Sequence, residues 1–235
     1  KAIARKEKKA SEKKEAELKE ADDENNGNKK QSQKGGGKAT VVDEDPLGKE
    51  FLKKDPLAEA RKYSLMLAQY APQKLETWML QYDVSIRRNK PMLALQALHK
   101  ARSLDCTSSE LFTRLVDFDN RSFDDATTTD VVLTVLVEEA PELLGMQPVQ
   151  DFVLKTAASI RDEPLTSLPM RIAVTKALID KKISSVEESC ALIVDGGLDS
   201  REVTVETCRD ATSYLASLGD DAATCLAKWF ELVQE

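Results

Sequence analysis

The side chains in this sequence that could perform chemistry are a single histidine and four cysteines. His99 lies in an apolar stretch with no partner motif around it, so we interpret it as a surface or half-packed histidine. The cysteines form no CxxC pair and have no histidine nearby; they are Cys106, Cys190, Cys208 and Cys225. This spacing does not supply the ligands of a zinc site. In a chain of 235 residues we expect reduced thiols and no disulfide framework.

Acidic pairs and glycine runs offer no stronger chemistry. The pairs Glu138-Glu139, Glu187-Glu188 and Asp220-Asp221 fall at predicted helix ends, where capping and solvation explain them. The triplet Gly35-Gly36-Gly37 follows no strand and lacks the spacing of a phosphate-binding loop. The sequence therefore predicts no catalytic, cofactor-binding or metal-binding residues in this chain.

The stretch from Lys74 to Phe112 predicts the elements around which the chain is organised. Apolar residues recur at helical spacing on both sides of Asn89-Lys90-Pro91, which indicates two antiparallel helices and the start of a third. Part of the pattern repeats after 34 residues, since Ala60 matches Ala94 and Trp78 matches Phe112. The residues predicted to pack between helices are Ala60, Trp78, Ala94, Leu98, Ala101 and Phe112.

This pattern resembles the tetratricopeptide repeat, which has the same period. A generic helical hairpin in another all-α domain is the alternative interpretation. Repeats of this kind can clamp peptide carboxylates with Lys and Asn, but the corresponding positions here hold Trp78, Tyr82 and Ser85. The resemblance therefore does not extend to a peptide clamp.

Helices are predicted along the whole of residues 45–235, about nine or ten in number. We divide this region into tetratricopeptide-like hairpins over 45–120 and a helical bundle or continued stack over 121–235. Val131–Glu139 is rich in Val and Thr and could be a strand by propensity, but no alternation supports one. Near the C terminus, Ser200 is predicted to begin a helix that ends at Gly219. The longest apolar run, Val131–Val137, is too short to span a bilayer.

The first 44 residues differ from the rest in composition. Residues 1–20 contain 8 basic and 5 acidic side chains without an apolar stripe, which predicts a solvated helix, a disordered tail or a helix with a charged partner. Residues 21–44 are polar and Gly-rich, which predicts a flexible linker. Charge is also divided between the two halves, with +7 over residues 1–104 and −14 over residues 105–235. The basic half would suit a polyanion, and the acidic half would repel one.

The order of these features resembles a known family. A Lys/Glu-rich segment, a polar linker and Asp45-Pro46-Leu47 lead into Asp55-Pro56-Leu57-Ala58-Glu59-Ala60 and then KLETWMLQYDVSIRRNKPMLALQALHKARSLD. This succession is similar to the C-terminal part of the large auxiliary subunit of the N-terminal acetyltransferase A complex. The sequence has neither a signal peptide nor an initiator Met, so we expect the chain to be the C-terminal portion of something longer or a trimmed product.

The resemblance implies a non-catalytic, cytoplasmic, ribosome-associated scaffold with a tetratricopeptide-like fold. Its implied partners are a catalytic acetyltransferase subunit, the ribosome with its RNA near the exit tunnel and, indirectly, the nascent chain, with no membrane and no metal. Acetyl-CoA is expected on the catalytic partner, because the run Gln33 to Lys38 breaks the pyrophosphate motif of acetyltransferases. The implied contacts to ribosomal RNA are Lys1, Arg5, Lys6, Lys8, Lys9, Lys13 and Lys14. The alternative function is an unrelated tetratricopeptide-like adaptor whose partner is another protein.

Overall fold

The computed structural model describes residues 48–49, 51–123, 129–163 and 166–234, without the side chain of Phe51. These residues form ten α-helices and two short 3₁₀ helices, Phe51–Lys53 and Gly219–Ala222, and contain no strand. The predicted all-α class and helix number are therefore confirmed for this part of the chain. The α-helices are α1 (Pro56–Tyr70), α2 (Leu75–Arg87), α3 (Pro91–Leu104), α4 (Ser109–Asn120), α5 (Asp130–Leu143), α6 (Val149–Asp162), α7 (Leu168–Asp180), α8 (Val186–Val194), α9 (Val205–Ser217) and α10 (Ala223–Gln234).

Proline and capping residues determine where the first helices begin. The Asp55 side chain accepts a hydrogen bond from the Leu57 amide, and Pro56 occupies the first turn of α1, where its missing N–H costs nothing. The turn between α2 and α3 closes through a hydrogen bond from Lys90 N to Ser85 O at 2.9 Å. Asn89 in this turn has a φ of 54°, a left-handed conformation that asparagine tolerates better than most residues. The next helix then begins at Pro91.

The first apolar core lies between α2, α3, α4 and α5. Small residues on α3 allow close approach of α2, and Ala94 and Ala101 are completely buried. Leu98 lies between them on the same face and is also completely buried. Leu136 and Leu143 of α5 contribute to this core and lie two helical turns apart.

The Val-rich segment whose propensity would allow a strand is the helix α5. Leu136 and Leu143 are buried on one face of this helix, while Val131 and Val137 remain exposed. The buried residues therefore have helical spacing and do not alternate with exposed ones as they would in a strand. Pro141 falls in the last turn of α5, and its missing N–H leaves the Val137 carbonyl without its helical hydrogen bond two residues before the helix ends at Leu143.

Two further apolar cores lie towards the C terminus, and α7 contributes to both of them. One face of α7 packs with α4 and α6, and another packs with α8 and α9. The buried Arg171 of α7 donates hydrogen bonds from Nη1 to the carbonyl oxygens of Leu192, at 2.9 Å, and Asp195, at 3.1 Å. This arrangement satisfies carbonyls at the end of α8 that the helix itself leaves unpaired.

The predicted start of α9 at Ser200 is wrong, because the helix begins at Val205. Thr204 caps it reciprocally, with its hydroxyl accepting from the Thr207 amide at 3.2 Å and the Thr207 hydroxyl accepting from the Thr204 amide at 2.9 Å. Glu202 has a φ of 58°, which is incompatible with a right-handed helix passing through it. No helix among the described residues combines the length and apolar character needed to cross a membrane.

Candidate functional site

The predicted contacts to RNA fall in the N-terminal segment. Residues 1–20, with all seven of the candidate lysines and arginines, lie outside the described residues, as do the linker of residues 21–44 and residues 45–47. That part of the candidate site therefore stays a prediction from sequence.

The predicted packing residues lie in the first four helices with different degrees of burial. Ala94, Leu98, Ala101 and Phe112 are buried, whereas Ala60 and Trp78 are half-buried. Trp78 donates a hydrogen bond from Nε1 to the Pro72 carbonyl oxygen at 2.8 Å. Its ring packs against the first core, and its hydrogen bond to Pro72 holds the loop between α1 and α2 in place. Its truncation should consequently cost less than the removal of a fully buried tryptophan.

Two polar contacts tie α2 to α4. Arg114 donates from Nη2 to Asp83 Oδ2 at 2.8 Å and from Nε to Asp83 Oδ1 at 3.2 Å, which is a bidentate pair. Beside it, the Tyr82 hydroxyl donates to Asp117 Oδ2 at 2.7 Å, and Arg121 Nε donates to the same oxygen at 2.8 Å. These contacts fix the orientation of two helices that are not adjacent in sequence.

The surroundings of this network shift the pKa values of its members, among them Tyr82 and Asp117. Burial, reinforced by the neighbouring Asp117 carboxylate, raises the pKa of Tyr82, so its hydroxyl stays a donor. Burial also acts to raise the pKa of Asp117, but hydrogen bonds from Arg121 and Tyr82 outweigh it, and the pKa is lowered. Asp117 therefore accepts both hydrogen bonds as a carboxylate at neutral pH.

An exposed apolar stripe on α1 is the clearest candidate surface for a protein partner. Tyr63, Leu67 and Tyr70 follow one another at helical spacing and are 50%, 38% and 78% exposed. Met66 lies beside this stripe and Leu65 lies on the other side of the helix, and both are also exposed. Only Ser64 of this helix is buried, and α2 is the element against which α1 packs most extensively. Such a concentration of exposed large apolar residues is typical of an interaction surface.

The residues considered for chemistry are distributed without a common site. His99 is half-buried on α3, and its Nε2 has no hydrogen-bond partner among the described residues. All four cysteines are free thiols: Cys106 is exposed, Cys208 is half-buried, and Cys190 and Cys225 are buried. Burial raises the pKa of Cys190 to about 11, which makes that thiol inert at neutral pH. The part of the chain with described coordinates holds no group of three or more His, Cys, Asp or Glu arranged for a metal ion.

Sequence reasoning missed the polar ties and the exposed face of α1. Asp83 and Arg114 are 31 residues apart and Tyr82 and Asp117 are 35 apart, so local spacing does not indicate that they meet. The apolar spacing of α1 was visible in the sequence, but it does not reveal which face meets a neighbour.

Comparison with known proteins gives one family-model match and several partial matches to curated proteins. A family model described as "N-terminal acetyltransferase A, auxiliary subunit" matches residues 1–101. The Arabidopsis thaliana protein named N-terminal acetyltransferase A complex auxiliary subunit NAA15 is 36% identical over 78 residues, which is 33% of this chain and 9% of that protein.

Two mammalian relatives match a longer part of the chain at lower identity. The protein named N-alpha-acetyltransferase 16, NatA auxiliary subunit, is 24% identical over 135 residues in Mus musculus, covering 56% of this chain and 16% of that protein. The Homo sapiens protein of the same name is 23% identical over 133 residues, covering 55% of this chain and 15% of that protein. In each comparison the matched part is a small fraction of the relative's own length.

Proposed function

We propose that this chain is part of a non-catalytic scaffold subunit, because a family model described as "N-terminal acetyltransferase A, auxiliary subunit" matches residues 1–101. The scaffold holds a catalytic acetyltransferase subunit at the ribosome, where nascent chains are acetylated during translation. The observation that carries this proposal is the family match, supported by the plant relative's 36% identity over 78 residues. Acetyl-CoA then binds the catalytic partner, and the complex works in the cytoplasm.

The helical region supplies a surface for protein contacts within this proposal. The apolar stripe Tyr63–Leu67–Tyr70 on α1 falls inside the family-matched residues, and its exposed area can be buried by a partner. The stacked helices α2, α3 and α4 behind it form a packed core, so the surface is presented by a fixed support. These features support a role in assembly.

The basic segment supplies the proposed ribosome contact. Lys6, Lys9 and Lys13 are spaced so that a helix would align them on one face. A row of cations along one face can follow a phosphate backbone without reading bases. No aromatic residue lies between them, which favours structured RNA recognised by shape and charge over stacking on single-stranded bases.

The test reverses charge in the basic segment of the full-length protein bound to its catalytic subunit. A variant carrying K6E, K8E, K9E and K13E should lose co-sedimentation with ribosomes at ordinary salt. The matched control carries K29E, K30E, K34E and K38E, which makes the same change of charge within the predicted linker. It should still co-sediment with ribosomes.

Acetylation provides the second readout of this experiment. Both variants should acetylate free peptides that begin with Ser or Ala at the rate of the unmodified complex, because no catalytic group is changed. If the first variant remains on ribosomes, the basic segment is a solvated charge run and the anchor lies elsewhere. If the purified full-length protein brings no acetyl-transfer activity with it, the scaffold function itself is refuted.

A further inference from the structure

An open groove lies on the face of the folded region where α2, α4 and α7 begin. It has a volume of ≈ 1100 Å³ and is bounded by these helix starts, by α6 and by residues 201–202. Its floor includes apolar side chains, among them Leu75, Phe152, Ile160 and Met170. The volume lies above the range of about 300–1,000 Å³ typical of small-molecule sites. The groove is therefore suited to a peptide segment.

The rim of this groove is strongly acidic. Six carboxylates line it against two cations, a net charge of −4. The carboxylates are Glu76, Asp105, Glu110, Asp162, Glu163 and Glu202, and the cations are Lys155 and Arg201. This negative charge would repel nucleic acid, so the groove is not expected to bind the RNA proposed as the partner of the basic segment, residues 1–20.

Half of these carboxylates already have local partners. Glu76 and Glu110 lie in the first turns of α2 and α4, where the helix dipole favours a negative charge. Glu110 also approaches Arg114 at 3.4 Å, and Asp105 accepts hydrogen bonds from the amide and hydroxyl of Thr107. Their position is explained without a ligand.

The remaining three carboxylates are not explained by local structure. Asp162 ends α6 and Glu163 follows it as the C-cap, so the helix dipole disfavours a negative charge at both. Neither residue, nor Glu202, forms an ion pair with another residue that the structure describes. All three are exposed at the rim of a groove with an apolar floor.

We propose that this groove docks an extended segment of another protein in which lysine or arginine side chains alternate with apolar ones. Successive side chains of an extended segment point to opposite sides, so apolar groups can face the floor while basic groups reach the rim. A cation placed between Asp162 and Glu163 would relieve their repulsion from the end of α6. This inference uses residues outside the basic segment and stands independently of the proposed ribosome contact.

The first test is fluorescence anisotropy on the 235-residue chain with a labelled octapeptide of alternating lysine and leucine. The unmodified chain should bind this peptide, with an affinity that falls as salt rises, and should not bind the glutamate–leucine counterpart. The variant D162N/E163Q/E202Q keeps the shape of each side chain and should bind at least about threefold more weakly, since three exposed ion pairs are removed. The matched control E138Q/E139Q/E231Q neutralises three exposed carboxylates outside the groove and should bind like the unmodified chain.

The second test locates the bound peptide. Cys106 lines the groove and is exposed, while Cys208 is half-buried outside it. Saturating peptide should slow maleimide labelling of Cys106 and leave the labelling rate of Cys208 unchanged. Equal binding by the two triple variants, equal protection of both thiols, or competition by a short RNA duplex would each overturn the proposal.

Discussion

Replacing Leu98 by Ala tests the packing of α3 most directly, because the same helix contains its own control. Leu98 is completely buried in the first core, whereas Leu93, five residues earlier on α3, is 40% exposed. Both substitutions change helix propensity equally, so the difference between their effects on the free energy of unfolding reports packing alone. Truncation of a buried leucine costs about 2–5 kcal/mol, the lost transfer free energy plus the cavity left behind. Leu93→Ala should cost about 1 kcal/mol, since its side chain is already partly in water.

The free energy of unfolding is measured for the full chain by urea denaturation, followed by circular dichroism. In both variants the free energy of unfolding should fall with urea concentration at the same slope as in the unmodified protein. The urea concentration at the unfolding midpoint should differ, which would show that only stability has changed. In a thermal scan, each kcal/mol corresponds to a fall of roughly 2–4 °C in Tm for a folded region of this size. If Leu93→Ala destabilises the protein as much as Leu98→Ala does, the face of α3 assigned to the core is wrong.

Three further substitutions probe other parts of the structure. Asp117→Asn should destabilise the protein near neutral pH and have progressively less effect below about pH 4. The pKa of Asp117 is lowered in the folded protein, so its carboxylate stabilises the fold above the ordinary carboxyl pKa, and this stabilisation is lost on acidification. Urea denaturation at a series of pH values measures the effect. Gly197→Ala should destabilise the protein severely, since the added Cβ would lie 1.9 Å from Ile193 O and 3.2 Å from the Trp229 ring. Gly145→Ala meets no neighbouring atom and carries only the strain of a left-handed φ of 70°, so its Tm should fall less than that of Gly197→Ala. Thr212→Val removes the 2.9 Å hydrogen bond from Trp229 Nε1 and should cost about 1–3 kcal/mol in chemical denaturation, with the native Trp fluorescence otherwise retained.

The sequence was sufficient for the class of the fold and for the break between the helices on either side of Asn89-Lys90-Pro91. The residues Asn89 to Pro91 act through their immediate neighbours, so their effect could be predicted locally. The family resemblance predicted from the succession of motifs is also confirmed by the match over residues 1–101.

Features that depend on distant neighbours could not be predicted in the same way. The start of α9 was misplaced because Ser200 and Thr204 are both acceptable caps, and the left-handed Glu202 between them carries no sequence signal. The acidic groove combines residues from α2, α6 and the segment before α9, which are brought together only by packing. Which face of α1 meets α2 likewise depends on the partner helix.

The position of α7 among its neighbours has a consequence for amide hydrogen exchange. This helix packs against α4, α6, α8 and α9, and eight of its residues are buried, including Val174 and Leu178. Its amides can reach solvent deuterium only when several neighbouring helices separate together, so they should exchange at a rate set by global unfolding. Helix α1 buries only Ser64, so its amides should exchange through local opening well before those of α7. A bound partner that covers the Tyr63–Tyr70 stripe would then slow exchange in α1. Because it binds only the folded protein, it would also slow the amides of α7, which exchange through global unfolding.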